Sequence, residues 1–326
     1  MNIGDIAEMA GVSRAAVSRY LNNGYISAEK RERIRRVIEE TGYQPSVMAQ
    51  TLRTKKTRLV GVILPRIHSD SISSMVAGIG AVLNREGYDM LLATSDNNPD
   101  KELDFLRIFS NNRVDGIILI ATVLTEAHKN LIADLRVPVV IAGQVLEGCC
   151  CISHDDFHAG KELTELLLSK GRRQIAYIGV LKEDIAVGVR RYEGYLEAMH
   201  AAGLDPPGES FGTADFSVES GSGVMREILR KYPEADAVIG ATDSIALGAM
   251  LSLREAGRSV PGDTAVAGFG DNLIARVTTP GLTTVHYYYR ECGEEAGAKI
   301  IAQIEGSHDG RESVQLGFEL VRRDSV

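Results

Sequence analysis

Three groups of residues in this chain have types and spacings that could do chemistry. Gly208-Glu209-Ser210-Phe211-Gly212 matches G-x-S-x-G, the elbow that presents a nucleophilic serine in hydrolases. That elbow needs a strand, a sharp turn and then a helix. Here Asp205-Pro206-Pro207 come first, so the motif leaves a loop and enters a strand. His154 and His158 stand four apart beside Cys149-Cys150-Cys151, and on a helix that spacing would aim two imidazoles at one metal ion. However, His154 is expected to end a strand, zinc sites favour separated cysteine pairs, and neighbouring strand residues face opposite ways. Buried structural cysteines are the better expectation, with no metal and no cofactor. No P-loop and no complete G-x-G-x-x-G occurs, so no catalytic constellation is expected. The third group is Arg14, Ala15, Ser18 and Arg19. An arginine fork can bond both major-groove acceptors of guanine, which is recognition rather than catalysis.

The elements that must position this third group are legible. Asp5–Ala10 places Ile6, Met9 and Ala10 at near-helical spacing, and Gly11-Val12-Ser13 breaks the helix. Gly11 suits a turn because it tolerates positive φ. Ser13 is a good N-cap for a second helix, Arg14–Leu21, whose apolar stripe is Val17 and Leu21. A third helix is expected from an N-cap at Ser27 to Thr41, with Ile34, Val37 and Ile38 inward and Gly42 past its end. Helix, short glycine turn and second helix is the helix-turn-helix arrangement, in which the second helix enters the major groove. Pro45 makes the residue before it extended and separates this head from 46–58, in which Ser46–Arg53 could form a short helix, though about eight residues are too few to be stable alone.

Charge distribution agrees. The 326 residues carry a formal net charge of −8, which at first argues against a nucleic-acid partner. Residues 1–58 hold eleven bases against six acids, or +5, and the other 268 hold 25 against 38, or −13. A basic head on an acidic body is the asymmetry of an anion-binding module joined to something else. No apolar run approaches the ~18 residues of a membrane helix and no signal-peptide pattern follows Met1, so the cytoplasm is the expected location.

From Leu59 onward, short apolar runs alternate with helical patterns. Runs at 59–64, 90–93, 116–120 and 137–141 form one series, with helices at about 72–86, 99–112 and 125–135. Runs at 174–179, 237–240 and 264–268 form a second, with helices near 186–202, 218–231 and 243–256. The alternation predicts two doubly wound parallel-sheet subdomains with a cleft between them.

The head sequence, with IGDIAEMAGVSRAAVSRYLNN followed by GYQPSVMAQTL, resembles the lactose-repressor (LacI/GalR) family of bacterial transcription regulators. Ala16 stands where the family usually has Thr, removing a hydroxyl that could meet phosphate, and Ser46 stands where it has Asn. The resemblance covers essentially the whole chain and implies an α/β fold: an N-terminal all-α helix-turn-helix head and a periplasmic-binding-protein-like body. The expected divisions are 1–45 for the head, 46–58 for a hinge, and 59–326 for the body. Within the body, one subdomain takes about 59–157 and 290–320, and the other about 158–289 and 321–326. Leu52 matches the family's minor-groove wedge, and Lys55, Lys56 and Arg58 are expected on phosphates.

Effector positions also carry over from the family. Ser71 and Ile72 match places where relatives put aromatics, Asp155 a carboxylate that faces the cleft, and Arg191 the effector-binding arginine. Phe216 matches an aromatic that stacks on ligand, or else simple core. Asp243 begins a helix, which it could cap while binding ligand. Gly270 replaces the usual first Asp near 270, leaving Asp271 for any carboxylate contact, and Gln144 is a further candidate. Longer stretches, among them SDNNPDKELDFL and LTTVHYYYRECG, are similar to the sucrose-operon repressors. The implied protein is a homodimeric repressor of a near-palindromic DNA operator, controlled by a sugar or sugar phosphate. Its rivals are a sugar receptor without DNA function and a carbohydrate enzyme using Asp155 or Asp243.

Overall fold

In a computed structural model that describes residues 1–22, 24–43, 56–112, 114–307 and 312–326, the chain divides into two units, Met1–Thr57 and Arg58–Val326. The first unit holds α1 (Ile3–Met9), α2 (Arg14–Leu21) and α3 (Ala28–Thr41). Helix α1 starts two residues before the expected Asp5. Asn2 Oδ1 accepts from the Gly4 and Asp5 amides, while Asp5 Oδ2 accepts from the Asn2 amide, a reciprocal cap. Gly11 takes φ +61° in the turn, and Ser13 Oγ caps α2 by accepting from the Ala16 amide at 3.2 Å. Ser27 precedes α3 without a side-chain capping bond, and Gly42 closes that helix at φ +62°. Ile6, Val17 and Ile34 are fully buried, each contributing about 1.5–3 kcal/mol. Met9, expected inward, is 55% exposed, and Ala7 takes the inner position.

The second unit runs β1 (Leu59–Leu64), α4 (Asp70–Arg85), β2 (Asp89–Thr94), α5 (Pro99–Asn111), β3 (Gly116–Ile120), α6 (Glu126–Asp134), β4 (Val139–Ala142) and β5 (Cys150–His154). It continues through α7 (Asp156–Ser169), β6 (Ile175–Gly179), a π-turn (Ile185–Arg190), α8 (Arg191–Ala201), β7 (Phe211–Thr213), α9 (Val218–Lys231), β8 (Ala237–Gly240) and α10 (Asp243–Glu255). It ends with β9 (Ala265–Phe269), α11 (Leu273–Val277), β10 (Thr283–Tyr287), α12 (Tyr289–Ile304), β11 (Val314–Leu316) and β12 (Phe318–Val321).

Two six-stranded sheets result, in the orders β11-β5-β4-β3-β1-β2 and β12-β10-β9-β8-β6-β7. Every pairing is parallel except that of β12 with β10. Parallel sheets bury both faces, and β3 shows this: Ile118 and Ile120 join one apolar cluster while Ile117 and Leu119 join another. Cys150 and Cys151 split between the same two faces of β5. Their thiols donate to the carbonyls of Glu312 and Leu146, and burial pushes Cys150 up to about 11.

The expected boundary near 320 is corrected to Gly317. Leu316 still pairs with His154 of the first sheet, whereas Phe318–Val321 pairs with β10 of the second. The chain therefore crosses between subdomains near 155, 288 and 317. No described helix is long and apolar enough to cross a membrane.

Helix pairs on both subdomains cross at glycines. A Cβ on Gly78 would stand 2.1 Å from the Arg290 carbonyl, one on Gly160 2.2 Å from the Arg191 carbonyl, and one on Gly248 2.2 Å from the Val218 carbonyl. The crossings α4–α12, α7–α8 and α9–α10 thus bring backbones closer than any side chain permits.

Candidate functional site

Strand order reverses direction between β1 and β3 in one sheet and between β6 and β8 in the other. Ligands of open α/β sheets sit beyond the carboxyl ends of strands at such switch points. A cavity of about 540 Å³ lies there, between the two subdomains. Segments leaving strand ends supply much of its wall: Arg66 after β1, Thr122 after β3, Gln144 after β4, Asp184 after β6, Thr242 after β8 and Gly270 after β9. The volume falls within the roughly 300–1,000 Å³ of small-molecule sites.

At the floor, Arg191 is 5% exposed. Its Nε donates to Asp156 Oδ1 at 2.7 Å and its Nη1 to the Ala241 carbonyl at 2.7 Å. Tyr287 donates its hydroxyl to the same Asp156 oxygen at 2.9 Å. The guanidinium also faces the Phe269 and Tyr287 rings, at 4.9 and 4.8 Å from their centroids. Asp156 opens α7 and Arg191 opens α8, and the close crossing at Gly160 and Gly194 brings the two helix starts together.

Across the cleft, Gln144 Nε2 donates to Asp184 Oδ1 at 2.6 Å, and Gln144 Oε1 accepts from the Ala186 amide at 3.3 Å. Asp184 also caps the π-turn, accepting from the Val187 amide at 3.1 Å. It is 2% exposed, and burial pushes it up to about 6. The Arg66 guanidinium rests on Phe216, 4.0 Å from the ring centroid.

Of the effector candidates, Ser71, Ile72, Gln144, Arg191 and Phe216 line this cavity. Asp155, Asp243 and Asp271 do not line it. Asp155 caps α7, accepting from the His158 amide and meeting its ring at 2.8 Å. The next residue, Asp156, faces the cavity instead. Asp243 is fully buried, accepting from the Thr284 hydroxyl and from the Asn272 amide at 2.8 Å, and burial pushes it up to about 6. Asp271 is held by Arg323, by Arg276 at 2.8 Å and by His286 at 3.2 Å. Burial opposes its charge, but the two arginines prevail and hold its carboxyl below the usual range. Sequence reasoning missed Arg66, Asp156, Asp184 and His154 as lining residues.

In the first unit, Arg14, Ala15 and Arg19 are exposed on α2 and Ser18 is half-buried. Ala16 is 7% exposed and packs in the helical core of this unit. Leu52 and Lys55 lie outside the described residues. Lys56 is described and half-buried. Arg58, expected on phosphate, begins the second unit: its amide donates to Asp115 Oδ2 at 2.8 Å and its guanidinium covers Tyr88 at 4.8 Å. Ser210 leads from a tight turn into β7 and donates to the Pro207 carbonyl at 2.6 Å.

Comparison with known proteins adds to this geometry. Residues 2–46 match the family described as bacterial regulatory proteins, lacI family, and residues 164–326 match a periplasmic binding protein-like domain. The chain is 35% identical over 304 residues to the sucrose operon repressor of Staphylococcus xylosus, covering 93% of this chain and 94% of that one. It is 31% identical to the HTH-type transcriptional regulator RegA of Clostridium saccharobutylicum over 328 residues, 100% of this chain and 99% of that one. A transcriptional regulator CelR–cellobiose complex superposes with a TM-score of 0.78 at 29% identity, each chain wholly covered. A lac repressor dimer bound to operator and the anti-inducer ONPF shares the fold, with a TM-score of 0.91 at 24% identity over 100% of this chain and 98% of that one.

Proposed function

The chain belongs to the lacI family of bacterial regulatory proteins, and from that premise we propose a cytoplasmic, dimeric transcriptional repressor whose operator affinity is set by a sugar or sugar phosphate held between its subdomains. The observation that carries this reading is the cleft cavity with its buried Arg191–Asp156 pair. A planar guanidinium and a carboxylate offer donors and acceptors to ring hydroxyls, and Phe216 offers an apolar face. A sucrose-related ligand is favoured by the Staphylococcus relative's name and a β-linked disaccharide by the CelR–cellobiose complex.

In the head, Arg14, Ala15 and Arg19 read base edges with Ser18 beside them, Lys55 and Lys56 meet phosphates, and Leu52 wedges the minor groove. Two copies of the head match a near-palindromic operator. Exposed Leu91 and Leu92 on edge strand β2 give apolar surface for pairing. The ligand acts by binding one subdomain arrangement more tightly than the other, which shifts the population able to hold DNA. The chain works by binding, without turning its ligand over.

The test is a gel shift of the full chain on its own upstream DNA, with sucrose, fructose, cellobiose and their phosphates titrated in. A sequence-specific shift that one sugar alters is the expected result. Absence of any specific shift, with and without sugars, overturns the repressor reading. Turnover of a sugar by the purified protein overturns the non-enzymatic one.

A further inference from the structure

His154 ends β5 and lines the cleft cavity, and its imidazole is 8% exposed. The Tyr287 and Tyr289 rings pack against it at 5.0 and 5.3 Å between centroids. Its Nε2 is buried without a hydrogen-bond partner among the described residues. A buried polar atom with no partner is costly, and its presence at a cavity wall asks for a partner from outside the protein. Burial lowers the basicity of this ring, so the imidazole is neutral. In a neutral imidazole one ring nitrogen donates and the other accepts, and the tautomer with its lone pair on Nε2 makes that atom the acceptor.

The balance of charged groups in the lining leans the same way. Among the described lining residues stand three carboxylates, Asp70, Asp156 and Asp184, against two guanidiniums, Arg66 and Arg191. The Arg191 charge is spent on Asp156 at 2.7 Å. That leaves Arg66, on the Phe216 ring, facing the fields of Asp184 and Asp215. Hydroxyl groups can donate to carboxylates and to a neutral imidazole nitrogen alike. A phosphate dianion supplies only further acceptors and further negative charge.

We propose that the cavity takes an uncharged, hydroxyl-donating sugar rather than a phosphorylated one, and that His154 Nε2 accepts a hydrogen bond directly from one of its hydroxyls. This deepens the effector reading above and rests on it.

Calorimetry on the full chain with sucrose, fructose, cellobiose, sucrose 6-phosphate and fructose 6-phosphate tests it. One neutral sugar is expected to bind at least tenfold more tightly than its phosphorylated counterpart. His154→Phe keeps a ring among the tyrosines but removes the acceptor. It should lose at least tenfold in affinity for that sugar while unfolding at or above the wild-type temperature. His154→Asn, which restores an acceptor, should recover part of the loss. Tighter binding of the phosphorylated form overturns the inference, as does unchanged sugar affinity in His154→Phe. Should no sugar of either class bind, the effector reading beneath it falls as well, and the two failures are told apart.

Discussion

The guanidinium of Arg66 covers the ring of Phe216, 4.0 Å from its centroid, so a cation from one subdomain sits on an aromatic face of the other. Arg66 leaves β1 of the first sheet, and Phe216 lies between β7 and α9 of the second. A sugar that stacks on Phe216 competes with this contact. A cation–π pair is worth about 0.5–2 kcal/mol, depending on desolvation. Arg66→Ala should therefore tighten sugar binding, by up to roughly tenfold, whereas Phe216→Ala should weaken it. Titration calorimetry checks both. Weaker binding in Arg66→Ala would mean that Arg66 holds the sugar itself.

The Arg191–Asp156 pair leads to a second prediction. Both side chains are 6% exposed, and the pair is completed by Tyr287 and the Ala241 carbonyl. Removing one partner of such a pair leaves a buried charge uncompensated, at a cost of about 3–5 kcal/mol. Arg191→Met and Asp156→Asn should each lower the unfolding temperature sharply. The double variant should lose much less than the sum, because both charges are then gone. Thermal denaturation monitored by circular dichroism decides, and additive losses would refute the coupling.

Much of this layout was legible in the sequence, and what was not has physical causes. Apolar runs such as Gly116–Ile120 gave strands, because a fully buried parallel strand is apolar on both faces. Strand β10 escaped, since Thr283, Thr284 and His286 dilute its pattern. The threonines are buried because their hydroxyls are satisfied, by the Arg323 carbonyl and by Asp243. Asp155 and Asp156 are adjacent carboxylates, and only the cap geometry of α7 decides which one faces the cavity. Asp243 and Asp271 looked available as acids, but Asp243 is held by partners 29 and 41 positions away and Asp271 by Arg323, 52 positions away, and spacing says nothing of such pairings. Arg66 and Asp184 reach the cavity from strand-end loops that have no local signature.

Asp184 makes stability depend on pH. Its ordinary value of 3.8 is pushed up to about 6 by burial. The folded state therefore favours its protonated form. The stabilisation is fully present below the unfolded value and is lost as pH rises through about 6. Asp184→Asn keeps an oxygen to accept from the Val187 amide and cannot ionise. Its stability relative to wild type should increase between pH 4 and pH 7 by up to the order of 3 kcal/mol. Urea unfolding at a series of pH values measures this, and a difference that stays flat across that window would refute it.

The last prediction concerns the crossing of α7 and α8, on which the Arg191–Asp156 geometry depends. A Cβ on Gly160 would stand 2.2 Å from the Arg191 carbonyl, and the obstacle is helix backbone rather than a mobile side chain. Gly160→Ala must push the helix starts apart, carrying Arg191 away from Asp156. Overpacking of this kind costs about 1–3 kcal/mol. Gly223 in α9 is the control, because nothing lies within 4 Å of an added Cβ there. Gly223→Ala should be neutral or stabilising by up to about 1 kcal/mol, through helix propensity alone. If the crossing sets the site, Gly160→Ala loses sugar affinity together with stability, and Gly223→Ala loses neither. Equal sugar affinity in the two variants would show that the floor of the cavity does not depend on this contact.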